Sequence, residues 1–384
     1  MVQLSLFWMW NNSTGFNGGA GIKSASFYRY WSEHKMKTKL IRVRPDVPDI
    51  NKLSQAANII KKGGLVAFPT ETVYGLGASA LNEKALRKIF RAKGRPADNP
   101  LIVHISRFRD IRLITNYLPV GAKELMKRFW PGPLTLVLPR HPRVPGIVSA
   151  GLSTVAVRMP DHPVARGLIR ASKLPIAAPS ANLSGKPSPT LASHVLKDLA
   201  GRIDAVLDGG GCNVGVESTV LDLTGEIPLV LRPGGVTLEQ LKEVLNEVNI
   251  DPAFQTGRVP KAPGMKYTHY APNGDLILVG GEDEAVQQSI IKLSRDYGQK
   301  NLSIAILSSE EHLFKYKQEA EHHLLMSLGP AKCPEVAANR LYDALRQCDQ
   351  QKISVILCEA YPKTGMGMAL MNRLEKAALK VINV

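Results

Sequence analysis

Between Leu65 and Gly234 the chain is broken into short apolar runs, each closed by proline, glycine or a polar loop: LVAFPT, PLIVHI, LTLVLP, STVAVRM, LPIAAPS, AVLDGG, STVLDLT and PLVLRPG. Runs this short cannot carry the buried stripe of a helix, but they suit buried strands. Helical spacing appears before them in INKLSQAANIIKKGG, and among them in NEKALRKIFRAKG, GAKELMKRFW, HPVARGLIRAS and SHVLKDLAG. Asn82 caps the second of these helices and Gly94 stands just past its end, while Gly63 and Gly64 stop the first. So many strands in so little chain predict one wide, mixed, twisted α+β sheet with helices packed on it. TETVYGLG reads as a glycine-bearing loop, and TLEQLKEVLNEV, from Thr237 to Val248, as one more helix.

The pattern then changes. IDPAFQTGRVPKAPGMKYTHYAPNGD is rich in proline and glycine and has no period, which predicts a linker over 249–273. After it LILVGG, LSIAILSS, LLMSLG, ISVILCEA and KVINV alternate with helical stretches at Glu282–Tyr297, EVAANRLYDALRQC and MALMNRLEKAAL. That alternation predicts a smaller α/β doubly wound, Rossmann-like domain over 274–384, behind a larger domain over 37–248. The smaller domain carries no GxGxxG fingerprint, so nothing in its sequence points to nucleotide binding.

Residues 1–36 fit neither domain. Their apolar run is too short to span a membrane and lacks the basic start of a signal peptide. Strand-like alternation begins only at Met36, so we expect a disordered or mis-assigned extension before it, a reading that sequencing the native N-terminus checks. No other stretch is long and apolar enough for a transmembrane helix, and no membrane partner is expected. Cys212, Cys333, Cys348 and Cys358 are scattered without a CxxC pair, as in a cytoplasmic protein with reduced thiols rather than a zinc ribbon or disulfide framework. The 49 Lys and Arg against 33 Asp and Glu leave a formal charge of +16, which favours phosphates, nucleotides or RNA without choosing among them.

Polar residues gather where the strands end. Thr70, Glu71 and Thr72 follow LVAF, and the glycines after them let backbone approach a ligand. Lys93 and Arg95 flank Gly94 at a helix C-terminus, where cations also complement the helix dipole and need no ligand. Asn99 follows, and His104 sits in PLIVHI, where a lone histidine is more often a core residue than a ligand contact. Arg158 lies in an otherwise apolar strand and needs a carboxylate or phosphate partner. APSANLSGKPSPT supplies Ser180, Asn182, Ser184 and Ser188; GVESTVLDL supplies Glu217, Ser218 and Thr219; LRPGG supplies Arg232. Any one of these loops is compatible with a plain turn, but their repetition in one domain favours a shared polar cleft.

Taken in order, FPTETVYGLG, KGRPADNPLIVHI, WPGPLTLVL, GLSTVAVRMP, PIAAPSANLSGKPSPT, GVESTVLDL and LRPGG closely resemble the YrdC-like L-threonylcarbamoyladenylate synthases. KAPGMKYTHYAP and the tail resemble the longer, two-domain members of that family. The resemblance implies a nucleotidyltransferase that joins L-threonine, bicarbonate and ATP into threonylcarbamoyl-AMP, the first step of a tRNA adenosine modification beside the anticodon. It places the KxR signature on Lys93 and Arg95, taken as the catalytic pair, and the SxN signature on Ser180 and Asn182. Threonine contacts fall on Thr72, His104, Arg158, Ala178 and Ser218. ATP contacts fall on Arg95, Asn99, Thr154, Ser180, Asn182, Ser188, Arg232 and Tyr270, with Tyr267 near the last.

The chemistry so implied needs no side-chain nucleophile and no prosthetic group. It needs positioning, cations at the phosphates, and Mg²⁺ carried in with the triphosphate rather than held in a protein cage. The KYTHYAP segment would fold back as a lid that keeps water from the labile adenylate. Partners beyond the substrates would be tRNA and a threonylcarbamoyl-transferase complex. Two rivals remain at this level: an RNA-binding protein without catalysis, which the +16 charge permits, and a carbamoyltransferase of the hydrogenase-maturation kind. The first lacks an RNA-binding motif here, and the second would bring CxxC zinc fingers that this chain does not have.

Overall fold

The structure, a computed structural model, describes residues 37–252, 270–319 and 323–384. The expectations for residues 1–36, and those for the linker over 253–269, lie outside these. Residues Thr38–Val384 form one compact unit.

Among the described residues the first part is an eleven-stranded mixed sheet and the second a five-stranded sheet. Every neighbouring pair in the five-stranded sheet is parallel. The wide sheet pairs its strands both ways: Ile102–His104 runs parallel to Thr154–Arg158, for example, and Leu134–Pro139 antiparallel to it. Helices cover both faces. Ile50–Lys61 and Pro163–Ser172 pack with Val66 and Phe68 on one side, while Glu83–Lys93, Ala122–Phe129 and Ala192–Leu199 pack with Ala67 on the other. That split follows from the two-residue period of a strand, which sends neighbouring side chains to opposite faces.

The helix ends follow local chemistry. Asp49 accepts from the backbone N–H groups of Asn51 and Lys52, Asn82 accepts from that of Ala85, and Gly94 closes its helix in the left-handed conformation.

Three elements depart from the sequence reading. Part of the expected loop TETVYGLG is a strand, Gly75–Ser79, antiparallel to Val66–Phe68. Its glycines serve packing: a Cβ on Gly77 would stand 2.7 Å from Phe68 and 2.8 Å from Ile176. The helix expected to reach Val248 is only Leu238–Lys242, held by a Thr237/Gln240 capping box, and the chain then adds the strand Asn249–Ile250 to the sheet edge. A short helix at Leu313–Glu319, carrying little apolar period, went unread.

The two sheets share a core. Val73 and Val216, from loops of the wide sheet, are buried in one apolar cluster with helices Pro334–Gln350 and Met366–Ala377 of the five-stranded part. Gly215 makes the contact possible, since a Cβ there would stand 2.3 Å from the backbone of Asn339. Asn339 in turn donates from Nδ2 to the carbonyls of Cys212 and Asn213.

Gly77→Ala should cost about 1–3 kcal/mol, because overfilling a close-packed face moves side chains off their rotamers. Thermal unfolding of the variant beside the unaltered protein measures it.

Candidate active site

The cleft is built on one row of the wide sheet. The register sets His104 opposite Arg158, Arg158 opposite Thr135, and Thr135 opposite Val220, which faces Arg232 past a local irregularity. Residues directly opposite one another share a face, so this row brings His104, Arg158 and Thr135 to the same side. The loops Thr70–Val73, Ala178–Ser188 and Glu217–Ser218 close around it, with Tyr270.

Of the residues named from sequence, Thr72, Lys93, Arg95, His104, Arg158, Ala178, Ser180, Asn182, Ser188, Ser218, Arg232 and Tyr270 line this one cleft. Asn99 and Thr154 do not. Asn99 is buried beside it, and Arg95 donates from Nη2 to the Asn99 and Pro100 carbonyls at 3.4 and 3.1 Å. Thr154 begins the strand that ends at Arg158, about 13 Å further along at roughly 3.3 Å per residue.

Arg158 has the carboxylate partner its burial demands. Its Nη2 lies 2.6 Å from Glu71 Oε1, Nη1 donates to Thr72 Oγ1 at 2.8 Å, and Nε donates to the Gly132 carbonyl at 3.2 Å. His104 lies beside it with its ring edge-on to Phe68 and Nδ1 3.2 Å from the Ile102 carbonyl. Burial, aided by the Arg158 cation, pulls the imidazole down to about 3, so it stays neutral. In that state one ring nitrogen remains an acceptor.

Lys93 does something the sequence did not suggest. It is 2% exposed, and its Nζ donates to the Ser180 carbonyl at 2.6 Å and the Asn182 carbonyl at 2.5 Å, with Asn182 Oδ1 at 3.3 Å. The lysine therefore fastens the serine-rich loop to its helix. Asn182 continues the brace, donating from Nδ2 to the Leu183 and Lys186 carbonyls and accepting from Ser180 Oγ at 2.6 Å. Burial lowers Lys93 well below the ordinary lysine range, with Arg95 adding to the effect. Arg95 is drawn down to about 10, mainly by burial, and so remains a cation near neutral pH.

The far wall carries Ser188, Glu217, Ser218 and Arg232. Arg232 donates to the Ser218 carbonyl from Nε and Nη2 at 3.2 and 3.0 Å, and Ser218 Oγ shares a hydrogen bond with Thr135 at 2.8 Å. Ser188 donates to Glu217 Oε1 at 2.6 Å. Further contacts to Glu217 come from the five-stranded part: Arg373 donates from Nε to Oε2 at 2.8 Å, and the Tyr342 hydroxyl lies 3.2 and 3.1 Å from the two oxygens. Tyr270, in a left-handed conformation at φ 69°, stacks near Tyr342, and Arg373 lies over its ring.

Sequence reasoning missed Arg373 and Tyr342 altogether. The only signal was an arginine in the apolar stretch MALMNRLEKAAL.

Residues 58–234 match the Sua5, YciO and YrdC family, described as telomere recombination, and residues 236–379 match the threonylcarbamoyl-AMP synthase C-terminal domain. A threonylcarbamoyl-AMP synthase of Bacillus subtilis is 50% identical over 85% of this chain and 92% of its own. One from Pyrococcus abyssi is 48% identical over 89% and 98%. The chain belongs to the two-domain Sua5/YrdC family. Its fold is close to the crystal structure of P. abyssi Sua5 complexed with L-threonine, with a TM-score of 0.85 and 46% identity over 90% of this chain and all of that one.

The depressed His104 sets a pH dependence. Below about 6.5 the unfolded chain takes a proton that the folded one refuses, so stability falls with pH until the folded value near 3 is reached. His104→Gln should flatten the decline between roughly pH 6.5 and 4.5, read as the urea midpoint against pH.

Proposed function

We propose that this chain joins L-threonine, bicarbonate and ATP into threonylcarbamoyl-AMP, releasing pyrophosphate and water, as befits a member of the threonylcarbamoyl-AMP synthase family. The observation that supports the reading best is the convergence of the motif loops on a single cleft. On this reading Thr72, His104 and the Arg158–Glu71 pair serve one end of it, and Arg95, Ser180, Ser188 and Arg232 serve the other.

The first end suits an amino acid. The P. abyssi relative is described in complex with L-threonine, and here the Arg158 guanidinium, already oriented by Glu71 and Thr72, offers charge to an α-carboxylate. Neutral His104 offers an acceptor to the threonine hydroxyl or amine. The amine condenses with bicarbonate to an N-carboxylate, expelling water, and a carboxylate oxygen then attacks the α-phosphorus while pyrophosphate leaves. Arg95 and Arg232 suit the phosphates, where negative charge moves from the α-phosphorus toward the leaving group. Lys93 acts through the loop it fastens, keeping Ser180 and Asn182 in place.

Mg²⁺ would be held by the triphosphate rather than by side chains of this chain, and would offset part of the phosphate charge. The adenylate would pass to a transferase complex that modifies tRNA, a hand-over that belongs in the cytoplasm. Among the described residues no helix is long and apolar enough to cross a membrane.

Purified protein given labelled bicarbonate, threonine and MgATP should form a threonylcarbamoyl adenylate with equimolar pyrophosphate. Release of pyrophosphate without dependence on threonine and bicarbonate would exclude the reaction. Arg95→Ala and Ser180→Ala should each lower the rate about 10²–10³-fold, the scale for removing a donor from developing charge. Arg158→Lys, which keeps the charge but loses the fork, should raise KM for threonine about tenfold or more and leave KM for ATP nearly unchanged; steady-state kinetics in each substrate separates the two.

A further inference from the structure

A cleft for a triphosphate should not expose negative charge, yet two carboxylates line or adjoin this one. Glu71 is answered within the wide sheet by Arg158 at 2.6 Å. Glu217 lines the cleft with Ser188 and Arg232, and a cation paired with it at 2.8 Å, Arg373, belongs to helix Met366–Ala377 of the C-terminal domain.

The side chain of Arg373 is fully buried and held on several sides. Besides Glu217 it donates from Nη1 to the Pro233 carbonyl at 2.6 Å and to Asn372 Oδ1 at 2.9 Å. Pro233 follows Arg232 directly, so the same guanidinium grips both the carboxylate and the backbone next to the phosphate-side arginine. Tyr342 brings its hydroxyl to the Glu217 carboxylate from the other C-terminal helix. With Ser188 these groups occupy both carboxylate oxygens.

We propose that Arg373 is a positioning residue for the triphosphate of ATP: it takes up the charge of Glu217, so that the wall bearing Ser188 and Arg232 receives phosphate instead of repelling it. The inference rests on the functional reading above, and it gives the C-terminal domain a part in substrate binding. Burial alone would raise the Glu217 carboxyl, but Arg373 and Arg232 outweigh it and hold the group at about 2, ionised throughout the working range. Without Arg373 the carboxylate would keep its charge, or draw on Arg232 to balance it. Either change weakens the wall for a polyanion, because charge interactions are poorly screened in a buried cleft. The threonine end, balanced separately by Arg158 and Glu71, would be spared.

The test uses the full chain and measures MgATP and threonine affinity by calorimetry, with KM and kcat for each substrate. Arg373→Met keeps bulk beside Tyr270 while removing charge. It should weaken MgATP binding roughly tenfold to a hundredfold, raise KM for ATP more than it lowers kcat, and leave threonine affinity within about twofold. Adding Glu217→Gln should restore most of the MgATP affinity, since the neutralised pair no longer opposes the phosphates. Removing the opposite charge would restore the stability of a merely structural arginine too, so the mark of the positioning role is the selective return of MgATP affinity with threonine affinity unchanged in both variants.

Equal MgATP affinity in Arg373→Met and the unaltered protein overturns the inference, as does a double variant no better than the single one. If Arg373→Met does not fold, the double variant decides alone. MgATP affinity close to that of the unaltered protein upholds the proposal, and weak binding or failure to fold overturns it. Absence of MgATP binding by the unaltered protein overturns the functional reading itself.

Discussion

A carboxylate can stay ionised in a buried cleft only if a cation meets it there, and the architecture of this protein follows from where those cations come from. Glu71 meets Arg158, a neighbour on the same sheet. Glu217 meets Arg373, which lies 156 residues away along the chain. Removing one partner of such a pair leaves an uncompensated buried charge and costs about 3–5 kcal/mol, far more than the pair contributes as a net attraction. The two parts of the molecule therefore meet at a pair in which neither partner can be lost alone, and that pair lies at the cleft.

The same logic recurs below the serine-rich loop. Arg346 of helix Pro334–Gln350 pairs with Asp198 at 2.8 Å and donates to the Pro187 carbonyl at 2.5 Å, while Asp198 accepts from the Leu183 N–H. Lys93 also holds the Ser180 and Asn182 carbonyls. The loop is thus held at several carbonyls by two long basic side chains. Held polar groups are what positioning catalysis requires, because they need not reorganise as charge develops.

The residue types were legible where local chemistry decides. Asn82 and Gly94 mark their helix ends as caps should, and the strand-length runs mark strands. Legibility failed where packing decides. Gly75 and Gly77 look like loop residues until Phe68 and Ile176 are seen against them. Nothing local shows that Lys93 donates to the Ser180 and Asn182 carbonyls. Arg158 was readable as a buried cation needing a carboxylate, but nothing local named Glu71.

By itself the sequence determined the alphabet of the site: which loops carry hydroxyls and cations, where strands and helices begin, and, through its motifs, the family. Those are short-range properties, set by capping, by period, and by residue types within a few positions of each other. Only the tertiary structure decided the strand register that sets His104 beside Arg158 and Thr135, and the docking that carries Tyr342 and Arg373 to Glu217. Register and docking come from burying apolar surface across the whole chain, with Val73 and Val216 entering the C-terminal core. That is a long-range property with no local signature, which is why an arginine in an apolar helix gave no sign of the carboxylate it would meet.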